Sequence, residues 1–313
     1  MPTRRSPKKG SLQFWPRKRA SKLLPRVNWN AINSGKNLKG FIGYKAGMIS
    51  ACVKDNTPNS ITKGKKIIIP CTLIECPQMK ILSVRFYKNG IVTKETYAPN
   101  LDKELKKRIK IPKKQGIKID EIKPEEYDDI AIICYSQPKK TKIKKTPDLS
   151  EIGLNRSIEE KLRFAKENLG KEIPVANIFE KGQLVDIRGL TKGKGLAGPV
   201  KRFGIGLKQH KSEKGRRRPG SLGPWHPART TRFAPQAGQL GMFIRNAYNN
   251  KIIEIKKAED KLKNIKNFGE TNSDYLILNG SVQGPAKRQL LITFPLRATK
   301  KQLKKDFELV ELR

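Results

Sequence analysis

The stretch QLVDIRGLTKGKGLAGPVKR, residues 183–202, decides how this chain is read. Its first six residues, 183–188, have the β-branched and apolar make-up of a strand. The strand runs into Gly193-x-Gly195-x-x-Gly198, which is the spacing of a dinucleotide-binding turn. Such a turn needs a helix opening at the third glycine, so that its first amides meet a pyrophosphate. It also needs an acid about 20 residues on for the ribose. Downstream of Gly198 come Pro199, Gly204, Gly206, Gly215, Pro219, Gly220, Gly223 and Pro224, a composition that supports no helix of useful length. The acid within reach is Glu213, set in KSEKGRRR (211–218), an improbable place for a ribose ligand. No G-x-x-x-x-G-K-[ST] run offers a Walker alternative either. The enzyme reading of the loop falls.

What remains is charge on a glycine frame. Between Arg188 and Arg232 stand thirteen lysines and arginines, nine glycines and one acid. Glycine lets backbone amides approach phosphate closely, and long basic side chains supply charge on both flanks. A disordered basic linker is the alternative, and GPWHPAR (223–229) argues against it. There Trp225, between Pro224 and His226-Pro227, reads as a held aromatic tip able to pack on bases. Both histidines, His210 and His226, lie in this segment without an adjacent nucleophile or carboxylate, so hydrogen bonding to RNA or packing suits them better than catalysis.

The whole composition points the same way. The chain has 313 residues and a formal charge of +40, from 68 basic and 28 acidic side chains. Self-repulsion on that scale destabilises a compact state unless a polyanion neutralises it. No apolar run is long enough to cross a bilayer, and the N-terminus lacks the apolar core of a signal peptide, which leaves nucleic acid rather than a membrane as the partner. Cys52, Cys71, Cys76 and Cys134 have no paired C-x-x-C spacing and read as buried small hydrophobes in a reducing setting, not metal ligands.

Segment by segment, residues 1–36 form a basic, proline-rich arm with Phe14, Trp15 and Trp29 spaced between charges, expected to order on RNA. Strand-like runs at 38–44, 67–75 and 81–87 give a first barrel part, 37–87; Pro70 marks an edge or a bulge. Sixteen of the 28 acids fall between 81 and 180. The region 88–175 therefore reads as an α/β insertion facing solvent or protein. It holds a short helix near Leu101, Leu105 and Ile109, a buried strand at 129–135, and a helix with a Ser157…Glu160 capping box ending at Gly170. A barrel strand (176–192), the extended loop (193–243) and a last barrel part (244–313) complete the order, with strands at 251–255, 274–278 and 288–294 and an ambiguous 256–266. The fold class is mainly β, with both halves of the chain contributing to one antiparallel barrel.

At this point the residues resemble a known family, the universal large-subunit ribosomal protein L three, in its archaeal and eukaryotic branch and most like the archaeal form in length. The signature runs through Phe179, Asp186, Gly189, Thr191, Gly193, Lys194, Gly195, Gly198 and Arg202. Gly10-Ser-Leu, PRKRA (16–20), GPWHPAR (223–229) and GSVQGPAKR (280–288) extend the likeness along almost the whole chain. The resemblance implies a six-stranded Greek-key barrel of translation-protein type, lying on 23S-type rRNA beside other large-subunit proteins in a cytoplasmic ribosome. It also implies a loop driven towards the peptidyl transferase centre with Trp225 near its tip. The expected RNA contacts are Arg4, Arg5, Lys8, Lys9, Trp15, Arg17, Lys18, Arg19, Arg26 and Trp29 in the arm. In the loop they are Lys192, Gly193, Lys194, Gly195, Gly198, Lys201, Arg202, Lys208, His210, Lys211, Lys214, Arg216, Arg217, Arg218, Trp225, His226, Arg229 and Arg232; Lys287 and Arg288 follow near the end. No cofactor, metal, catalytic residue or homo-oligomer is expected. An RNA-modifying enzyme with a basic accessory loop, or a regulatory RNA-binding protein, are the competing readings.

Overall fold

A computed structural model describes residues 10–11, 13–35, 37–112, 119–211 and 214–313. In chain order its strands and helices begin with β1 (Gly40–Asp55), β2 (Lys66–Glu75), β3 (Met79–Lys88), β4 (Ile91–Tyr97), β5 (Asp129–Ser136) and β6 (Leu149–Gly153). Then come α1 (Ile158–Asn168), β7 (Glu172–Ile173), β8 (Leu184–Leu190), β9 (Leu196–Ala197), α2 (Pro199–Phe203) and β10 (Gly238–Gln239). The last are β11 (Ile244–Lys256), β12 (Tyr275–Asn279), β13 (Gln289–Thr293), α3 (Lys300–Leu303) and β14 (Phe307–Leu312).

Six strands close on themselves in the order β13-β8-β11-β12-β2-β1, and β1 pairs back to β13 from Gly40↔Thr293 to Tyr44↔Gln289. The length of β1 makes this possible. Its first half meets β13, its second half meets β14, and β2 runs antiparallel along nearly all of it. A register shift between Lys45 and Gly47 marks the bend between the halves. Phe41, Ile42, Ile74, Ile187, Leu276, Leu278 and Leu291 fill the main core, all fully or nearly fully buried. Pro70 sits where its missing N–H is not needed. It opposes Ser50, whose own N–H and C=O go to Arg313 on the other side, and the β12 pairing has already ended at Cys71.

The run 81–87 does not join the ring. As β3 it lies in a second sheet, between β4 and β5, with β6 beyond β5 and β7 also paired to β3. This corrects the expected boundary at 87, and the cause is local. Asn89 and Gly90 take φ of 52° and 73°, a two-residue reversal that folds Lys88 back onto Ile91 and commits β3 to its sequence neighbour. α1 packs its buried Leu162 and Ala165 into the same core as the sheet's Val84, Phe86, Ile130 and Ile132. The Ser157 hydroxyl accepts the Glu160 N–H at 3.4 Å, the expected cap, which is worth about 1 kcal/mol. Leu105 is buried in the 3-10 turn Lys103–Lys107; Lys256 ends β11, and 257–266 holds no helix or strand beyond the isolated bridge of Ile265 to Gly269. α3 and β14 had no counterpart in the strand pattern.

The chain divides into two compact units, one comprising Met1–Lys22 with Leu190–Ile244 and the other Leu23–Gly189 with Arg245–Arg313. The arm expected as 1–36 is thus split at Lys22: Pro25 and Ile32 are buried, and Leu24, Val27 and Trp29 pack against the main core of the second unit. That second unit pairs some of its basic side chains with its own acids. Lys80 reaches Asp102 and Glu172, Arg85 bridges Glu95 and Glu151, and Lys139, Lys140 and Lys161 pair with Glu104, Glu172 and Asp129. No helix among the described residues is long and apolar enough to cross a membrane.

Candidate nucleic-acid interface

The glycine fingerprint builds a narrow stem. Thr191 donates its N–H to the Phe243 carbonyl at 3.0 Å, Lys194 to Leu240 at 3.0 Å, and Leu240 returns its own to Gly195 at 2.8 Å before β9 pairs with β10. Gly198 caps α2 with Pro199 at its first turn, so the third glycine does open a helix, but one of five residues. Gly204 ends it in the left-handed region at φ 69°, where its N–H reaches the Val200 carbonyl at 2.8 Å; a side chain there would be strained. Nothing lies within reach of a Cβ at Gly195 or Gly198, so that backbone is open to an approaching group.

One arm residue and one loop residue clasp each other in this unit. The Arg202 guanidinium donates to the carbonyls of Gln239 at 3.0 Å, Gln236 at 3.1 Å and Arg17 at 3.2 Å. Arg17 answers by donating to the Arg202 carbonyl at 2.7 Å. Burial lowers the Arg202 pKa from its usual value, though these acceptors keep the guanidinium engaged with protein. The Trp15 ring meets Phe203 at 6.0 Å and Phe233 edge-on at 5.2 Å, with the Arg17 guanidinium 4.4 Å from the Phe203 centroid. Ala20 N–H to Met242 carbonyl, 3.0 Å, continues the contact, and Arg19 reaches Gln239 at 3.4 Å. The Trp29 ring lies against Gly40 and Gly153, where a Cβ would stand 2.9 Å from it in each case. Trp15, Trp29, Arg17 and Arg202, expected on nucleotides, each make protein contacts and are half-buried.

The distal loop is different. Every residue from 221 to 232 is exposed, and Trp225 is 88% exposed, which excludes packing of its indole on the protein's own core. Lys192, Lys194, Lys201, Lys211, Lys214, Arg216, Arg217, Arg218, Arg229 and Arg232 are exposed, as are His210 and His226. Among the described residues none of these ten cations has an ion-pair partner; the pairs all lie in the other unit. Arg216 and Lys208 instead hold a small reversal, Lys208 N–H to Arg216 carbonyl at 3.0 Å. The Arg232 guanidinium sits 4.8 Å from the Phe233 ring. Lys18 and Arg26 are exposed, while Arg4, Arg5, Lys8 and Lys9 lie outside the described residues.

In the body unit, GSVQGPAKR (280–288) is shaped from within. The Lys45 ammonium donates to the Val282 and Gly284 carbonyls, at 2.5 and 3.2 Å. The Gln283 amide donates to Ile187 at 2.8 Å and Arg245 at 2.9 Å. This leaves Lys287 exposed and Arg288 half-buried, its pKa lowered by burial. Sequence reading missed both supports. Lys45, a lone lysine directly after the apolar run 41–44, was the available signal for the first. Asp186, from the signature, is buried and accepts N–H bonds from Asn249 at 2.8 Å and Leu296 at 3.0 Å.

A six-strand ring in one unit and, in the other, a glycine-framed segment with ten exposed cations that have no ion-pair partner among the described residues suit a polyanion-binding protein. Comparison with known sequences narrows this. The family model described as "Ribosomal protein L3" matches residues 1–313. The chain is 37% identical over 306 residues to the large ribosomal subunit protein uL3 of Methanocaldococcus jannaschii, covering 93% of this chain and 91% of that one. It is 38% identical to the uL3 of Methanothrix harundinacea, with 97% and 96% covered, and 37% identical to that of Archaeoglobus fulgidus, with 94% and 93% covered. The chain belongs to the ribosomal protein L3 family. It is a family of structural proteins, not enzymes.

Proposed function

We propose that the chain is a structural constituent of the large ribosomal subunit, in the cytoplasm, where it binds 23S-type rRNA and stabilises its fold beside neighbouring ribosomal proteins. The six-strand ring is read as a Greek-key barrel of translation-protein type. The loop 193–243 is read as extending towards the peptidyl transferase centre, with the first arm residues beside it. One observation carries this: among the described residues ten exposed loop cations have no carboxylate partner, and Trp225 is 88% exposed, a surface suited to a polyanion with flat faces. Phosphate contacts fall to the loop and arm lysines and arginines and to Lys287, and the stack to Trp225. Trp15, Trp29, Arg17 and Arg202 serve by holding the segments that present them.

The test is sedimentation of the tagged chain with large subunits through a high-salt gradient. An integral constituent stays in the subunit fraction, whereas release to the top of the gradient would refute the assignment.

A further inference from the structure

A second basic surface lies on the body unit, where the chain turns from β1 to β2. Asp55, the first acid in the sequence, is buried at the base of this turn. Its carboxylate accepts the Thr57 N–H at 2.9 Å and the Ser60 and Thr62 hydroxyls at 2.8 and 2.5 Å. Those bonds, Thr57 first, hold the carboxyl far below its usual range, so it stays ionised and tied inward. The main chain closes the turn as well, Asp55 N–H to Lys65 carbonyl at 3.1 Å and Gly64 N–H to Asp55 carbonyl at 2.7 Å. On this preset frame Ile61 is 96% exposed, and Lys54, Lys63, Lys65 and Lys66 are exposed without ion-pair partners among the described residues.

The C-terminal segment is fastened to the same turn. Asn56 N–H reaches the Asp306 carbonyl at 2.9 Å, and Asp306 N–H reaches the Thr57 hydroxyl at 3.0 Å. This brings the exposed Lys300, Lys301 and Lys304 to the turn's side of the body. Exposed acids are present too, Asp306 and Glu308, the latter receiving the Asn56 amide at 3.4 Å, but the lysines outnumber them. An isoleucine this exposed at a rigid tip, ringed by unpaired lysines, suits a surface that is apolar in patches and anionic around them.

We propose that the β1–β2 turn and the C-terminal lysines fastened to it form an additional RNA-binding surface on the body unit. The lysines neutralise backbone phosphates and Ile61 makes apolar contact with a ribose or base face. Asp55 is a positioning residue that fixes the turn. The proposal rests on the reading of the chain as an rRNA-binding protein, and its test separates the two.

Full-length chain carrying Ile61→benzoylphenylalanine is incorporated into large subunits and irradiated, beside a second chain carrying the same probe at Trp225. Ribonuclease-sensitive cross-links from position 61 support the surface. Cross-links from 61 to protein only, or none, overturn it: with the 225 probe still on rRNA the inference alone fails, and with neither probe on rRNA the functional reading fails as well. For the free chain and an rRNA fragment, the triple change Lys63→Ala, Lys65→Ala and Lys66→Ala should reduce the slope of log affinity against log salt by about 2–3, at ~0.7–0.9 per phosphate lost. An unchanged slope would also overturn the proposal.

Discussion

The two tryptophans 15 and 225 should behave oppositely on truncation. An indole side chain offers roughly 150–250 Å² for burial. With Trp225 88% exposed, only ~30 Å² is covered, and at ~25 cal/mol/Å² the free protein loses about 0.7 kcal/mol in Trp225→Ala. For a chain of this size the melting temperature should fall by no more than about 2 °C. In the subunit the same change should remove one base–aromatic contact, ~1–3 kcal/mol, and appear as altered chemical reactivity of nearby rRNA while the chain stays bound. Trp15 lies between Phe203 and Phe233 under Arg17, so Trp15→Ala removes real packing. It is half-buried, so the local cost should be about 2 kcal/mol, less than the ~3–5 of a fully buried aromatic. Amide exchange around 199–204 and 233–242 should accelerate accordingly, by roughly 30-fold. Melting curves and exchange on the free protein, with rRNA probing in assembled subunits, decide it. A loss near 3 kcal/mol in Trp225→Ala, or unchanged exchange in Trp15→Ala, would refute the reasoning.

Other substitutions probe the supports. Arg202→Met removes three donors from the carbonyls of Gln239, Gln236 and Arg17, and should free the arm for proteolysis near residue 18 in the absence of RNA; unchanged cleavage would count against the clasp. Glu75 is buried among apolar groups with one carboxylate oxygen unpartnered among the described residues, and burial raises its pKa to about 6 from 4.5. A raised carboxyl binds its proton more tightly folded than unfolded, so the contribution of Glu75 to stability should be greatest below about pH 4.5 and fall by about 2 kcal/mol as pH rises through 6. Thermal melts of Glu75→Gln against wild type should show that slope disappear; parallel profiles would contradict it. Binding of the whole chain to rRNA fragments should weaken steeply with salt, by ~0.7–0.9 in slope per phosphate contact, and a slope near zero would mean the charge serves another end.

Much of the strand order was legible because the runs at 67–75, 129–135 and 274–278 are short and apolar, and the second and third are buried on both faces over most of their length. Sheet membership was not. Which sheet takes 81–87 depends on pairing partners, and the deciding cue was the Asn89-Gly90 reversal rather than the run itself. The destinations of Trp15 and Trp29 were hidden for a related reason. An aromatic in a basic segment serves equally as a stacking platform or as a packing ring, and the partners that settle the matter, Phe203 for one and Gly153 for the other, lie more than a hundred residues away. The exposure of Trp225 was legible because its immediate neighbours, Gly223, Pro224, His226 and Pro227, offer little apolar surface to receive it.

Charge distribution separates the parts of the molecule that are complete from those that are not. In the second sheet nearly every acid that bears on the structure meets a cation of the same unit: Arg85 takes Glu95 and Glu151, and Lys140 takes Glu172. Exposed pairs of this kind add little stability, and each cancels locally the charge of the acid it takes. In the loop the opposite holds. The carboxylate-poor stretch from Lys192 to Arg232 is shaped, among its described residues, by backbone turns and by one arginine clasped to carbonyls, and most of its charge remains available. Its geometry is therefore set by the protein and its electrostatics by the partner. Substituting a single loop lysine should leave the fold untouched and weaken RNA binding by a similar factor at whichever position is chosen, whereas Arg202, the clasped one, should be the exception.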